Sequence, residues 1–178
     1  MIDELNLAKD IARKAGTYLR NDNDNLKQIS FSSNKDIKLK ADIAAEEIIV
    51  EAILKQSRFP ILAEESGKST QNLSDSFWVI DPLDGTANFK RGIPVSCVSI
   101  GLIQKNQPIL GVIYDFNNDN LYEGSIDTPA LMNGNKIKVS DIKHPKDGIL
   151  MTGLPNDTDY TNKALLEMVK NFQNWRKV

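Results

Sequence analysis

The amino-acid sequence predicts an α+β fold, with two N-terminal helices packed on a mainly antiparallel sheet. Three observations lead there. Apolar residues recur at helical spacing in two segments of the first third of the chain, centred on Ala12 and Ile49. From Phe77 onward the pattern changes to short apolar runs separated by polar turns. Helices followed by hairpin-connected strands favour α+β over a doubly wound parallel sheet.

The first helix is expected from Leu5 to about Arg20, because Leu5, Ala8, Ala12, Ala15 and Leu19 make one buried stripe. The Asn/Asp-rich stretch from Asn21 to Asn25 ends it, and a short extended region, Leu26 to Phe31, leads to a polar turn at Ser32–Lys35. The second helix is expected to begin near Asp42 as its N-cap, with Glu46 and Glu47 placed to suit the helix dipole. Its stripe is Ala45, Ile48, Ile49, Ala52 and Ile53. Both stripes are expected to face the strands Val98–Ile103 and Ile109–Ile113.

Pro60 then opens a short strand, Ile61–Ala63, which runs into Glu64-Glu65-Ser66-Gly67. Phe77–Ile80 is a strand expected to halt at Asp81-Pro82. Cys97–Gln104 and Ile109–Phe116 pair across Lys105–Pro108, and Leu121–Gly124 follows. Asn133-Gly134 is a strong hairpin turn leading into Ile137–Val139. A last helix spans Lys163 to Phe172. The organisation expected is residues 1–148 as one domain and 149–178 as the start of a second.

Bulk properties narrow the function. The 178 residues are 40% hydrophobic and 26% charged, the balance of a globular protein able to build a core. A net charge of −2 gives no electrostatic footprint for nucleic acid or an anionic membrane. The single cysteine, Cys97, excludes an intrachain disulfide and a thiolate metal cluster. No apolar run approaches the roughly 20 residues of a membrane span, and the acidic start Met1-Ile2-Asp3-Glu4 is unlike a secretory signal. The expected setting is the cytoplasm.

The chemistry concentrates in Asp81-Pro82-Leu83-Asp84-Gly85-Thr86, behind an apolar strand and ahead of Asn88-Phe89. Two carboxylates at a strand end suit hard, oxygen-ligated cations. Gly85 removes a side chain where something must approach the backbone, and Thr86 opens a short helix whose free N–H groups suit an anion. An isolated Asp-Gly-Thr would be an ordinary turn; the whole run is far more specific. The adjacent acids Glu64 and Glu65 end a second apolar strand and repel each other, which a bound cation would relieve. Asp42 supplies a further carboxylate, and Lys35 and Lys38 lie upstream of it.

Asp81–Thr86 with Asn88-Phe89, Gly92-Ile93-Pro94 and Ser99-Ile100-Gly101 resembles the signature of the inositol monophosphatase superfamily. Ala63-Glu64-Glu65-Ser66 resembles its Gly-Glu-Glu-Ser element. Leu39 to Asp42 is similar to its Thr-x-x-Asp element, with Leu39 where Thr is usual. The resemblance implies a layered α/β/α sugar-phosphatase fold and the following roles. Glu64, Asp81 and the carbonyl of Leu83 would hold one Mg²⁺, and Asp81 with Asp84 a second, in a site of two or three ions. Thr86 and Asp42 would hold the attacking water, the amides of Gly85 and Thr86 would contact the phosphate, and Glu65 would lie near the water or a third ion.

The activity implied is Mg²⁺-dependent hydrolysis of a small-molecule phosphate monoester, inositol monophosphate-like, with no nucleic-acid or membrane partner. A 3′(2′),5′-bisphosphate nucleotidase is the nearest rival, a fructose-bisphosphatase-type enzyme a more distant one. A non-catalytic metal- or phosphate-binding module is the reading from a different class. A calcium loop at Asp115–Asp119 is excluded, because Asn120 stands where the loop requires Gly and Ile126 where it requires Glu. The family's distal Trp-Asp pair and Gly-[Ser/Thr]-Ala-Ala element are not in this chain. The expectations are therefore a truncated second domain, little activity in this chain alone, and self-association through the apolar face of the last helix and Trp175.

Overall fold

The computed structural model describes residues 2–21, 23–32, 37–153 and 161–178. The chain divides into two compact units, Met1–Ile137 and Lys138–Val178. The polar turn expected at Ser32–Lys35 falls largely outside the described residues, as does Lys35; so does the side chain of Lys38.

The first unit begins with α1 (Ile2–Asn21), whose buried face is Leu5, Ala8, Ile11, Ala12, Ala15, Gly16 and Leu19. A single turn, α2 (Asn23–Leu26), leads to the hairpin β1 (Ile29–Ser32) and β2 (Ile37–Leu39), which forms its own two-stranded sheet. Helix α3 (Lys40–Gln56) follows without a break. Strands β3 (Ile61–Ala63), β4 (Gly67–Lys68), β5 (Ser76–Asp84), β6 (Cys97–Gln104), β7 (Gln107–Asp115), β8 (Asn120–Ser125), β9 (Thr128–Met132) and β10 (Asn135–Lys136) make one eight-stranded sheet, ordered β10-β9-β8-β7-β6-β5-β3-β4. Helix α4 (Thr86–Arg91) lies between β5 and β6.

Every strand pair in the large sheet is antiparallel except β3 with β5. The hairpin turns show why these residues sit where they do. Lys105 and Asn106 both take positive φ, the twist that a two-residue connection between antiparallel strands demands. Between β7 and β8, Asp115 Oδ1 accepts from the N–H groups of Asn117 and Asn118, so this acidic segment is a turn, as its sequence implies.

Helices α1 and α3 pack on each other and on the sheet, α1 over β6, β7 and β8, and α3 chiefly over β5. The stripe of α3 therefore does not face Val98–Ile103 as expected; β5, with Trp78 and Ile80 buried, is its partner. Close approach of α1 to the sheet depends on Gly16. A Cβ there would lie 2.5 Å from the Tyr114 ring. Lys9 on α1 meets the buried Glu123 of β8 at 2.8 Å, so that carboxylate is paired.

Three more expectations are corrected. Helix α3 starts at Lys40, and Asp42 stands in its first turn, where its Oδ2 reaches back to accept from Leu39 N–H at 2.6 Å. The carboxylate thus satisfies an orphan amide from within the helix rather than capping it from in front. Strand β5 does not halt at Asp81-Pro82 but runs to Asp84. Asp81 pairs with Ser99 and Asp84 with Cys97, so three steps on β5 match two on β6, a bulge. Pro82, which has no N–H to give a ladder, is tolerated within that bulge. Beyond the Asn133-Gly134 turn the pairing strand is Asn135–Lys136, and Ile137–Val139 is not a strand. The sequence also gave no sign of β2, β4 and β9, all of five residues or fewer.

In the second unit, α5 (Lys163–Asn171) forms where expected, opened by Asn162, whose side chain accepts from Ala164 N–H at 2.9 Å. Leu166, Met168 and Val169 on this helix are exposed. Trp175 is half-buried, and its ring lies against Gly148. Ile149 and Lys177 form a short parallel bridge. His144 is exposed, as its polar surroundings suggest.

Candidate active site

The parallel pairing of β3 with β5 brings the two acid-bearing segments together. Ala63 is opposite Ile80, so Glu64, just past the end of β3, comes level with Asp81 of β5. Glu64 N–H continues the ladder by donating to Ile80 O at 3.1 Å. Parallel strands end on the same side, and residues that follow them must share that side.

Asp81 is half-buried and hydrogen-bonded with Glu64. Two carboxyl groups can bond only by sharing a proton. Burial pushes the Asp81 carboxyl above the ordinary aspartate range, the bond with Glu64 draws it down, and the charges of Asp84 and Asp42 raise it again. Its Oδ1 also accepts from Leu83 N–H at 3.2 Å, which shapes the bulge.

Asp42 is 2% exposed, at the start of α3. Its Oδ1 accepts from the Thr86 hydroxyl at 2.8 Å, and its Oδ2 from Leu39 N–H. Burial raises its carboxyl above the ordinary range; these two bonds oppose the rise and the charge of Glu65 adds to it. The same Thr86 hydroxyl lies 3.1 Å from Leu83 O, so its one proton is shared between two acceptors.

Gly85 precedes α4 with φ +87°, a left-handed conformation that suits glycine. A Cβ at this position would lie 2.6 Å from Val95 O. The 93–97 segment is drawn in by Asn88, whose Nδ2 donates to Val95 O at 2.8 Å. Asp84 is exposed and accepts from Cys97 Sγ at 3.7 Å; burial, then the Asp84 charge, pushes the Cys97 thiol up to about 12. A cleft of about 450 Å³ opens here, lined by Asp84, Gly85, Asn88, Ser96, Cys97 and Asp115 among others.

The expected site residues therefore meet mainly in pairs: Asp42 with Thr86, Asp81 with Glu64, and Leu83 with both Asp81 and Thr86. Asp84 acts on Asp81, and Glu65 on Asp42, through charge. Among the described residues, no three His, Cys, Asp or Glu side chains form a metal-holding group as they stand. The donor chemistry nevertheless fits a hard cation: oxygen donors only, with the carboxyl groups of Asp81 and Glu64 side by side.

Sequence reasoning missed Glu46. It is 5% exposed, and its Oε2 and Oε1 accept from the N–H groups of Glu65 and Ser66 at 2.8 and 2.9 Å. The signal was there to find. Asp42, Ala45, Glu46, Ile49 and Ile53 form the buried face of α3, so an acid occupied a core position.

The model of the inositol monophosphatase family matches residues 3–174 of this chain. An inositol-1-monophosphatase of Synechocystis is 41% identical over 123 residues, 68% of this chain and 43% of that protein. Among solved structures, the extragenic suppressor protein SuhB from Bartonella henselae superimposes with a TM-score of 0.88 at 30% identity, covering 98% of this chain and 69% of that one. The inositol monophosphatase of Anabaena does so with a TM-score of 0.80 at 34% identity, covering 98% and 66%. The chain spans about half the length of the curated relatives it matches, from 43% to 63%. Among the described residues, no helix is long and apolar enough to cross a membrane. A family match along nearly the whole chain, joined by the likeness of its fold to these solved structures, places the protein in the inositol monophosphatase family.

Proposed function

We propose that this chain supplies the acid and water-activating part of a Mg²⁺-dependent phosphatase acting on a small phosphate monoester of the inositol monophosphate kind. The observation that carries the reading is the Asp42–Thr86 hydrogen bond beside the Asp81–Glu64 carboxyl pair. A proton acceptor at the start of α3 and an acid pair at the ends of β3 and β5 are the two groups that metal-assisted hydrolysis of a phosphate monoester uses.

Glu64, Asp81, Asp84 and the carbonyl of Leu83 are the groups that would hold the ions, two or three in number. Bound there, Mg²⁺ would supply charge neutralisation of the phosphate oxygens, a water of lowered pKa and stabilisation of the leaving alkoxide. The chain's own residues do the rest. Thr86 donates its proton towards Asp42, leaving its oxygen lone pairs to accept from a water. Asp42, with its carboxyl raised by burial, is a better base than an ordinary aspartate and takes the proton at Oδ1. The first-turn amides of α4 have no acceptor within their helix and suit a phosphate oxygen. Glu65 adds negative charge near the water position and tunes Asp42.

The same proposal takes the cytoplasm as its setting and includes self-association of the chain through the exposed side of α5.

The test is phosphate release with and without Mg²⁺, by this chain and by the chain extended with the C-terminal segment of a relative. Inositol monophosphate, a bisphosphate nucleotide and fructose bisphosphate form the panel. Mg²⁺-dependent turnover of inositol monophosphate, lost on Asp84→Asn, is expected of the extended form. Preference for either other substrate would reassign the substrate class. Inactivity of the extended form on the whole panel would sink the phosphatase reading.

A further inference from the structure

We infer that Glu46 is a positioning residue for the acid turn, setting where Glu64 and Glu65 stand relative to Asp81 and Asp42. The inference rests on the reading above that these acids hold metal.

Helix α3 presents Asp42 and Glu46 one turn apart, on the same buried face. Each reaches a different segment of the site. Asp42 takes the hydroxyl of Thr86, behind β5; Glu46 takes the consecutive backbone N–H groups of Glu65 and Ser66, behind β3. One rigid helix is thus the common reference for both acid-bearing segments. The turn after β3 is also tied at its two ends, by Glu64 N–H to Ile80 O and by the antiparallel pairing of Ala63 with Gly67. Glu46 holds its middle, at the amides of Glu65 and Ser66.

Charge makes the arrangement specific to a site. Glu46 places a buried carboxylate beneath a turn that already carries Glu64 and Glu65, next to Asp42 and Asp81. A fold needing only to satisfy two amides would do so with neutral carbonyls or water, because a further negative charge adds to the repulsion among these acids. The arrangement makes sense where a cation offsets that repulsion and where the aim of the turn matters. Glu46 itself touches neither ion nor substrate in this role; it acts through the backbone of Glu65 and Ser66.

The experiment is titration calorimetry with Mn²⁺ on the 178-residue chain, at a temperature where each variant is fully folded by circular dichroism. Glu46→Gln keeps the side-chain shape but turns an amide NH₂ toward one of the two N–H donors. Glu46→Asp keeps the charge and withdraws the oxygens by one methylene. Glu51→Gln, exposed on the same helix, is the control. Both Glu46 variants are expected to weaken Mn²⁺ binding about tenfold or more, with the control unchanged. A purely structural role would lower the melting temperature and leave the affinity of the folded protein alone. Wild-type affinity in either folded Glu46 variant overturns the inference. Failure of both variants to fold overturns it too, since the residue would then serve the fold. A wild-type chain that takes up no Mn²⁺ sinks the metal reading itself, an outcome distinct from the others.

Discussion

Thr86 Oγ1 donates to Asp42 Oδ1 at 2.8 Å, across 44 positions of chain. The bond joins the start of α3 to the start of α4 and crosses from one acid segment of the site to the other. Thr86→Val keeps the shape but leaves a buried carboxylate short of a donor. A loss of about 1–3 kcal/mol in urea unfolding is expected. In the extended enzyme, turnover should fall roughly 10²–10⁴-fold. Stability lost without any change in turnover would remove Thr86 from the water-activating role.

Divalent ions should stabilise the chain. At a hundred times the dissociation constant the gain is about 2.7 kcal/mol, or about 5–10 °C in melting temperature for a chain of this size. Asp81→Asn should remove most of this gain and melt no lower than wild type without metal, because it relieves the burial of a charge and its repulsion from Asp84, which now raise the Asp81 carboxyl. Identical metal responses in the two proteins would show that Asp81 is not a ligand.

The pH dependence should reverse when metal is added. Asp42 and Asp81 bind protons more tightly folded than unfolded, because burial disfavours their charged forms. Their stabilising contribution is therefore full below the ordinary value of 3.8 and is lost as pH rises through the raised values. Metal-free stability should fall from about pH 4 upward, and Mg²⁺, which needs deprotonated ligands, should turn the slope positive. Asp119 works in the other direction. The Tyr114 hydroxyl holds its carboxyl below the ordinary range, so its contribution is lost only in acid below 3.8. Urea unfolding across this range, in EDTA and then in Mg²⁺, reads both slopes. A metal-free slope that is flat would place the two aspartates in water.

Cys97 should resist alkylation. Burial and the charge of Asp84 hold its thiol near 12, so little thiolate exists at neutral pH. Asp84→Asn should speed its reaction with an aromatic disulfide several-fold, and Mg²⁺ should do the same in wild type by offsetting the Asp84 charge. A thiol rate indifferent to both changes would mean that Asp84 and Cys97 are not neighbours in solution.

Gly85→Ala tests the close approach of Val95. The added Cβ meets a carbonyl oxygen at 2.6 Å, at a φ that alanine avoids. A cost of about 1–3 kcal/mol is expected, read by thermal melting. A neutral change would show that the 93–97 segment yields.

The legible parts of the sequence were those with a strong local period. The stripes of α1 and α3, strand β6 with its boundaries, and α5 follow from side-chain spacing. The misread parts depend on partners far along the chain. Strand β5 runs through Pro82 because β6 offers a bulge there, and nothing local announces that. The short strands β2, β4 and β9 form because a neighbouring strand stands ready. At the site, Asp81 and Asp84 stood out through their motif, whereas Glu46 was taken for a dipole residue. Only the packing of α3 shows that its face is buried.

The ties that assemble the site span long stretches of chain: 44 positions for Asp42 to Thr86, and 19 and 20 for Glu46 to its two amides. Contacts of such span are costly to close while the chain is still loose. They are expected to close late in folding, after the local hairpins of the sheet. A cation that needs all of them has nowhere to bind until the route is over. It would then act as a latch, leaving the speed of folding unchanged and lengthening the lifetime of the folded chain.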